Sequence, residues 1–283
     1  MEAVHVRLIA KTQDLSEKQV AATLRLLEEG ATIPFIARYR KEATGELDEV
    51  QVAEIQRAGK QLTELEARRE TVLSTIADQG KLTPELEQRI RACYNPTELE
   101  DIYLPYRPKR RTRATMAREK GLEPLADQLW AQNVRDVEGL AEGFLTDEVP
   151  TVEEALQGAR DIMAERIAED DRARNRLRHH FRKGAIITSK VARGKEKEGE
   201  KYRDYFDFQE SLAKCPSHRL LAIRRGEDEG FLRVIIEPEA ELVLPDLQRL
   251  FLDGHGPATE QVRLALEDGY QRLLAPSIET EFR

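Results

Sequence analysis

Apolar residues recur at three- and four-residue intervals along most of the chain. Between residues 17 and 29, Val20, Leu24 and Leu27 share one helical face, and Gly30 follows as a stop. Beyond it Thr32 can cap a further helix, and Pro34 falls in the first turn, where a missing N–H costs nothing. Phe35, Ile36 and Tyr39 then form a short apolar stripe. Gly45 breaks that segment and Asp48 can cap the next. From there Val52, Ile55, Leu62, Leu65, Val72 and Ile76 predict one helix up to Asp78, before Gly80. Such a helix is about 45 Å long at the standard rise.

Thr83 and Pro84 repeat the Thr-Pro entry, and Asn95-Pro96 is read as the close of a helix of two to three turns. Residues 99–113, with Pro105 and Pro108, predict an extended, partly exposed connection. Helices follow over 112–120 and 124–130. Thr151 with Glu154 is a capping-box pattern ahead of Ala155, Leu156, Ile162, Met163 and Ile167. Asp170 and Asp171 mark a break before a second helix that runs to Lys183 and stops at Gly184. After Gly184 the stretches AIITSKV and GFLRVII are β-branched and read as strands, PSHRLLAIRRG between them suits helix or strand, and the charged tract 192–206 reads as mobile. A last helix spans 257–274 and the closing PSIETEFR shows no compact end. The expected fold is mainly α, a multi-helix core with a small β element near residues 185–236. The expected division is a helical region over 1–184 and a mixed segment over 185–283.

Composition agrees with helices. Charged residues are 35% of the chain and aromatics 6%, a mixture that favours long amphipathic helices over a β-sandwich. No run approaches the ~18 apolar residues a membrane span needs, and the first residues lack the apolar stretch of a secretion signal. The expectation is a cytoplasmic chain without a membrane partner. Cys93 and Cys215 stand singly, without CxxC or paired-His spacing, so no metal site is expected. The net charge of −8 hides an uneven distribution, because residues 172–203 carry 12 Lys or Arg against 3 Glu. Such polarity can turn a molecule toward a polyanion even when its total charge is negative.

Catalytic signatures are absent. ELED over 98–101 and EDD over 169–171 are contiguous, and neighbours on a helix point to different sides, so spacing puts no two of their carboxylates on one face. His179-His180 has no triad or HExxH partner, and there is no Walker loop, GxGxxG or GxSxG. No catalytic residue and no cofactor is expected. Two basic segments remain. Arg107, Lys109, Arg110, Arg111 and Arg113 lie between Tyr103, Tyr106 and the next helix with no acid among them. Cations beside rings suit a single-strand or RNA contact. The same residues also suit a loop whose arginines pair with nearby acids and whose tyrosines are core. In RARNRLRHHFRK, Arg174, Arg178 and Arg182 line one helical side, Lys183 follows, and Leu177 and Phe181 line another. Acids ahead of cations along these helices also satisfy the helix macrodipole, a purely structural account. Around Tyr39, Arg38, Arg40, Lys41 and Glu42 offer no nucleophile or base and read as a packed helical corner.

Three stretches carry a family resemblance: IPFIARYRKEATGELDE from Ile33, NPTELEDIYLPYRPKRRTRATMAREKGLEPLA from Asn95, and KYRDYFDFQESLAKCPSHRLLAIRRGEDEG from Lys201. In their order and spacing they resemble the N-terminal region of the Tex family of bacterial transcription accessory proteins. The resemblance implies a helical core with a helix-turn-helix-like part near the N-terminus. It also marks Pro34, Phe35, Arg38, Tyr39, Arg40, Glu42 and Gly45 as structural positions of the family motif. Full-length members continue into RNase-H-like, helix-hairpin-helix and OB-fold domains that this sequence lacks, so it reads as a piece of a longer protein. The function implied is a non-catalytic module contacting RNA or DNA weakly, RNA polymerase, or the remaining domains of its own chain. The alternative is a pure scaffold for those domains.

Overall fold

Capping side chains set about half of the helix starts. In the computed structural model, which describes residues 3–108 and 111–283, the chain divides into two units, Met1–Tyr106 and Arg107–Arg283. The composition change near Gly184 falls inside the second.

The first unit holds α1 (Ala3–Gln13), α2 (Glu17–Glu28), α3 (Ile33–Tyr39), α4 (Lys41–Thr44), α5 (Glu49–Asp78), α6 (Pro84–Arg91) and α7 (Pro96–Tyr103). Ser16 and Gln19 form a capping box at α2, and Asp48 and Gln51 form another at α5. There the Gln51 N–H donates to Asp48 Oδ1 over 2.8 Å. The 30-residue α5 serves two separate apolar clusters. Val52 and Ile55 close over Ile9, Val20, Leu24 and Ile36, whereas Leu65, Val72 and Ile76 meet Ile90, Leu99 and Ile102. Two expectations need correction. Asn95 does not close a helix but caps α7, its Oδ1 accepting from the Thr97 and Glu98 N–H groups. The first part of the stretch expected to be extended is therefore α7, followed by a 3₁₀ turn over Leu104–Tyr106. Pro96 sits at the helix entry, where no N–H is needed, and Pro105 and Pro108 come after its end.

The second unit contains α8 (Arg113–Glu119), α9 (Glu123–Trp130), α10 (Val137–Glu142), α11 (Val152–Glu169) and α12 (Asp171–Gly184). These are followed by β1 (Ile186–Val191), β2 (Asp207–Ser211), α13 (Ser217–Asp228), β3 (Leu232–Glu237), α14 (Ala240–Phe251), α15 (Pro257–Gly269) and α16 (Ala275–Phe282). Helix α11 is the hub: Ala155, Ala159, Ile162, Met163 and Ile167 are all buried. Helix α15 crosses it so closely that a Cβ at Gly269 would stand 2.9 Å from the Ala164 carbonyl oxygen. The sheet is antiparallel in the order β2-β1-β3, with Ile187 opposite Ile236 and Ser189 opposite Phe208. Leu232, Val234 and Ile236 face the core while Arg233, Ile235 and Glu237 face solvent. The end of the chain packs, contrary to expectation. A π turn over Tyr270–Leu274 leads into α16, whose Ile278 is fully buried. Glu279 accepts from the Ile236 N–H over 2.9 Å, and Arg283 donates to the Val234 carbonyl, so α16 satisfies the outer edge of β3. In the tract expected to be mobile, Tyr202 is buried in a 3₁₀ turn.

Candidate nucleic-acid interface

The two basic segments differ in what surrounds them. In the first, Arg107, Arg111 and Arg113 are exposed, while Lys109 and Arg110 lie outside the described residues. Arg111 reaches Glu119 over 2.7 Å, both side chains in solvent. Thr112 caps α8, accepting from the Thr115 N–H, and its hydroxyl also donates to Glu165 Oε1 over 3.1 Å. Burial pushes the Asp161 carboxyl above its ordinary range, against the opposing pull of Arg272 and then of Arg113. Tyr103 is buried in the first unit under the Arg68 guanidinium, 5.1 Å from its centroid. Tyr106 is half-buried beside the same cluster, and its carbonyl accepts from Gln79 over 2.8 Å. Base stacking needs an open ring face, and Tyr103 offers none. Of the two readings of this run, the tyrosines follow the core one.

In the second segment two of the three arginines on the face expected to meet phosphate are turned inward. Arg174 and Arg178 are 5% and 4% exposed. Both donate to Glu281 of α16: Arg174 Nη2 over 2.8 Å, Arg178 Nε over 2.6 Å and Nη2 over 2.9 Å. Arg174 Nη1 also reaches Ser277 Oγ at 3.2 Å, and Phe181 stacks on Phe282 with centroids 5.0 Å apart. Guanidiniums held this way cannot reach a phosphate unless the pair is broken, because an unpaired buried charge is strongly unfavourable. Arg182 and Lys183, at the end of α12, are exposed. So are Arg172, Arg176 and His179, none of which the sequence stripe included. Asp170 caps α12 and is paired with Arg172 over 2.9 Å. His180 lies 2.9 Å from Asp246 of α14. That hydrogen bond, with Arg176 and Arg249 nearby, holds the Asp246 carboxyl below its ordinary range despite partial burial.

The motif around Tyr39 is only half a packed corner. Ile36 and Ala37 are buried, but Phe35 is exposed and Tyr39 is 70% exposed, so the expected apolar stripe splits between core and solvent. The two rings lie 5.5 Å apart, and the Arg40 guanidinium sits 5.4 Å from the Phe35 centroid. Pro34 opens α3, and Arg38 pairs with Glu49 at 3.4 Å. Glu42, in the first turn of α4, is exposed. Gly45 takes φ +67°, and its carbonyl accepts from Gln19 over 3.1 Å.

The carboxylate runs have structural partners. Glu100 receives Arg68 through two bonds of 2.6 and 3.0 Å, and Asp101 is buried. Among the described residues, no three His, Cys, Asp or Glu side chains are grouped to hold a metal ion. Burial pushes the thiols of both Cys93 and Cys215 up from their ordinary range, which makes them poor nucleophiles. No helix among the described residues is long and apolar enough to cross a membrane.

Comparison with known proteins joins these observations. Residues 3–77 match the Tex-like protein N-terminal domain, and residues 132–261 match the Tex central region-like family. The chain is 47% identical over 231 residues to the transcriptional accessory protein Tex of Neisseria gonorrhoeae, covering 82% of this chain and 30% of that protein. It is 46% identical over 243 residues to protein tex of Bordetella pertussis, 84% of this chain and 31% of that one. A human protein named S1 RNA-binding domain-containing protein 1 is 27% identical over 301 residues, 98% of this chain and 29% of its own length. The chain thus spans about a third of the length of these relatives. With both regions matched in order, the chain belongs to the Tex family, of which it carries the N-terminal and central regions.

Proposed function

We propose that this chain is a non-catalytic helical module of a transcription accessory protein that contributes contacts to nucleic acid, to RNA polymerase, or to both. The observation that carries this reading is the exposed cationic run around Arg107, Arg111 and Arg113, in a chain where Glu100 and Asp170 of the two acidic runs are engaged by arginines. The relatives named for transcription, and the human one named for an RNA-binding domain, support the same direction. Phosphate contacts made by such cations release counterions, so affinity should fall steeply with salt. The test is fluorescence anisotropy of the chain with single-stranded RNA and duplex DNA over a salt series, repeated with Arg107, Lys109, Arg110, Arg111 and Arg113 changed to Gln. Binding that weakens with salt and is lost in the variant supports the reading. No binding at low salt removes the nucleic-acid contact and points to partners that are proteins or the rest of its own chain.

A scaffold for further domains is the second reading, favoured by the buried Tyr103 and by the Glu281 clamp on Arg174 and Arg178. It predicts that alanine at Arg110 and Arg111 leaves the nucleic-acid affinity of a full-length protein unchanged, while loss of its OB-fold abolishes it.

A further inference from the structure

The burial of Arg174 and Arg178 leaves a different stripe of α12 facing water. Arg172, Arg176, His179 and Lys183 are all exposed and stand at i, i+4, i+7 and i+11, one face of a helix. Opposite them Ala173, Arg174, Leu177, Arg178 and Phe181 are buried. Helix α14 packs beside α12 and adds Arg249, joined through Asp246, which meets Arg249 at 2.9 Å, His180 at 2.9 Å and Arg176 at 3.7 Å.

The carboxylates that pair with this stripe do not neutralise its surface equally. The Arg172 side chain is 63% exposed and its partner Asp170 only 21%. Arg249 is 76% and Arg176 47% exposed, over an Asp246 that is 22% exposed. The acids are recessed and the cations project, so an approaching polyanion meets positive charge first. From Arg172 to Lys183 the stripe runs roughly 16 Å at the helical rise. That length faces about five phosphates of one strand of a duplex.

Ring chemistry separates the two kinds of nucleic acid. Single-strand sites combine cations with aromatic faces on which bases stack. Here Phe181 and Phe251 are buried, and the Arg172 guanidinium covers Phe251 at 5.7 Å. His179 is the one exposed ring among the α12 residues described. A cationic ridge without stacking platforms suits backbone contact alone, which positions a duplex without reading its sequence.

We propose that the ridge of Arg172, Arg176, Lys183 and Arg249 contacts the phosphate backbone of duplex DNA; this rests on the nucleic-acid reading above and adds to the 107–113 run a second contact, on α12 and α14. The test is anisotropy with duplex DNA and a single strand of equal length, between about 50 and about 200 mM salt, on the wild-type chain and on an Arg176→Gln/Lys183→Gln/Arg249→Gln variant. Removing one cation that meets a phosphate should lower the slope of log affinity against log salt by about 0.9, so the variant's slope should fall by about 2.7. Duplex affinity should drop at least about tenfold at the lowest salt. If the triple variant melts below wild type, the single Lys183→Gln variant at the exposed helix end is read instead, with an expected decrease of about 0.9 in slope. An unchanged slope and affinity, with binding instead abolished when residues 107–113 are neutralised, overturns the ridge and leaves the functional reading standing. Tighter binding of the single strand than of the duplex overturns the duplex assignment. No binding by the wild-type chain overturns the ridge together with the nucleic-acid part of the functional reading.

Discussion

The run at 107–113 and the helix α12 are both rich in arginine, yet the fold uses their cations in opposite ways. Arg111 is paired with Glu119 while both remain in solvent, whereas Arg174 and Arg178 are withdrawn from water around Glu281. A surface pair contributes little because water screens it and two long side chains must be held still. A buried cluster is costly to form and much more costly to break. The difference shows that a cationic run is no guide to its role until the positions of the core and the nearest carboxylates are known.

The sharpest way to break this comparison is Glu281→Ala. It removes the carboxylate that Arg174 and Arg178 share and should destabilise the second unit by up to about 3 kcal/mol. Trp130, the single tryptophan, lies in that unit and reports its urea unfolding by fluorescence. A midpoint within error of wild type would mean that the cluster is not buried in solution. A second variant sharpens the point. If Arg174, Arg178 and Glu281 serve only to join α12 to α16, replacing all three with Met or Leu should restore stability to within about 1 kcal/mol of wild type or exceed it. Persistent destabilisation of the apolar triple variant would show that the cluster's hydrogen bonds to Ser277 and neighbouring groups carry the stability instead.

The inward turn of α12 is present in the sequence. At 100° per residue Arg174 lies about 20° from Phe181, just beyond the arc that Ala173, Leu177 and Phe181 define. It is overlooked when a charged residue is assumed to face water, an assumption that fails where a distant acid, here Glu281, closes over the pair. Local signals do better wherever the physics is local: Asp48, Thr83 and Thr151 cap the helices that follow them, although Thr32, also expected to cap, stands at the start of α3 without a side-chain hydrogen bond. Asn95-Pro96 fits either the end of one helix or the start of the next, and only the packing of Leu99 and Ile102 decides for the start. DFQES lacks β-branched residues, and it becomes β2 through pairing with β1. The exposure of Phe35 and Tyr39 could not be read from spacing, since the stripe they share with Ile36 is wider than the face α3 buries. The mainly helical class and the small β element are legible because periodicity and β-branching report them directly.

The exposed side of α12 gives a smaller effect, with a pH signature. The Asp246 carboxyl is held below its unfolded value of 3.8, first by the His180 hydrogen bond and then by Arg176 and Arg249. Its contribution is therefore complete above that unfolded value and is lost as pH falls through the lower folded one. Asp246→Asn should lower the urea midpoint modestly at neutral pH and flatten its dependence on pH below about 4, so that variant and wild type converge in acid. A variant whose acid limb coincides with wild type would mean that Asp246 is not the group responsible.

The smallest expected change is at the other pole of the comparison. Arg111→Ala removes one exposed ion pair, and its cost should stay below about 0.5 kcal/mol, close to the error of a urea midpoint. Adding salt should shrink even that, because both Arg111 and Glu119 stand in water. The same substitution should lower the salt slope of nucleic-acid binding by up to about 0.9 if Arg111 meets a phosphate. A residue whose loss is invisible to folding and visible to binding is not there for the fold. A residue such as Arg178, whose loss is visible to folding first, cannot be assigned to binding from an affinity measurement alone, since partial unfolding would lower affinity as well. The two midpoints must therefore be measured before either affinity is interpreted, and a loss above about 1 kcal/mol for Arg111→Ala would place the 107–113 run in the same structural class as α12.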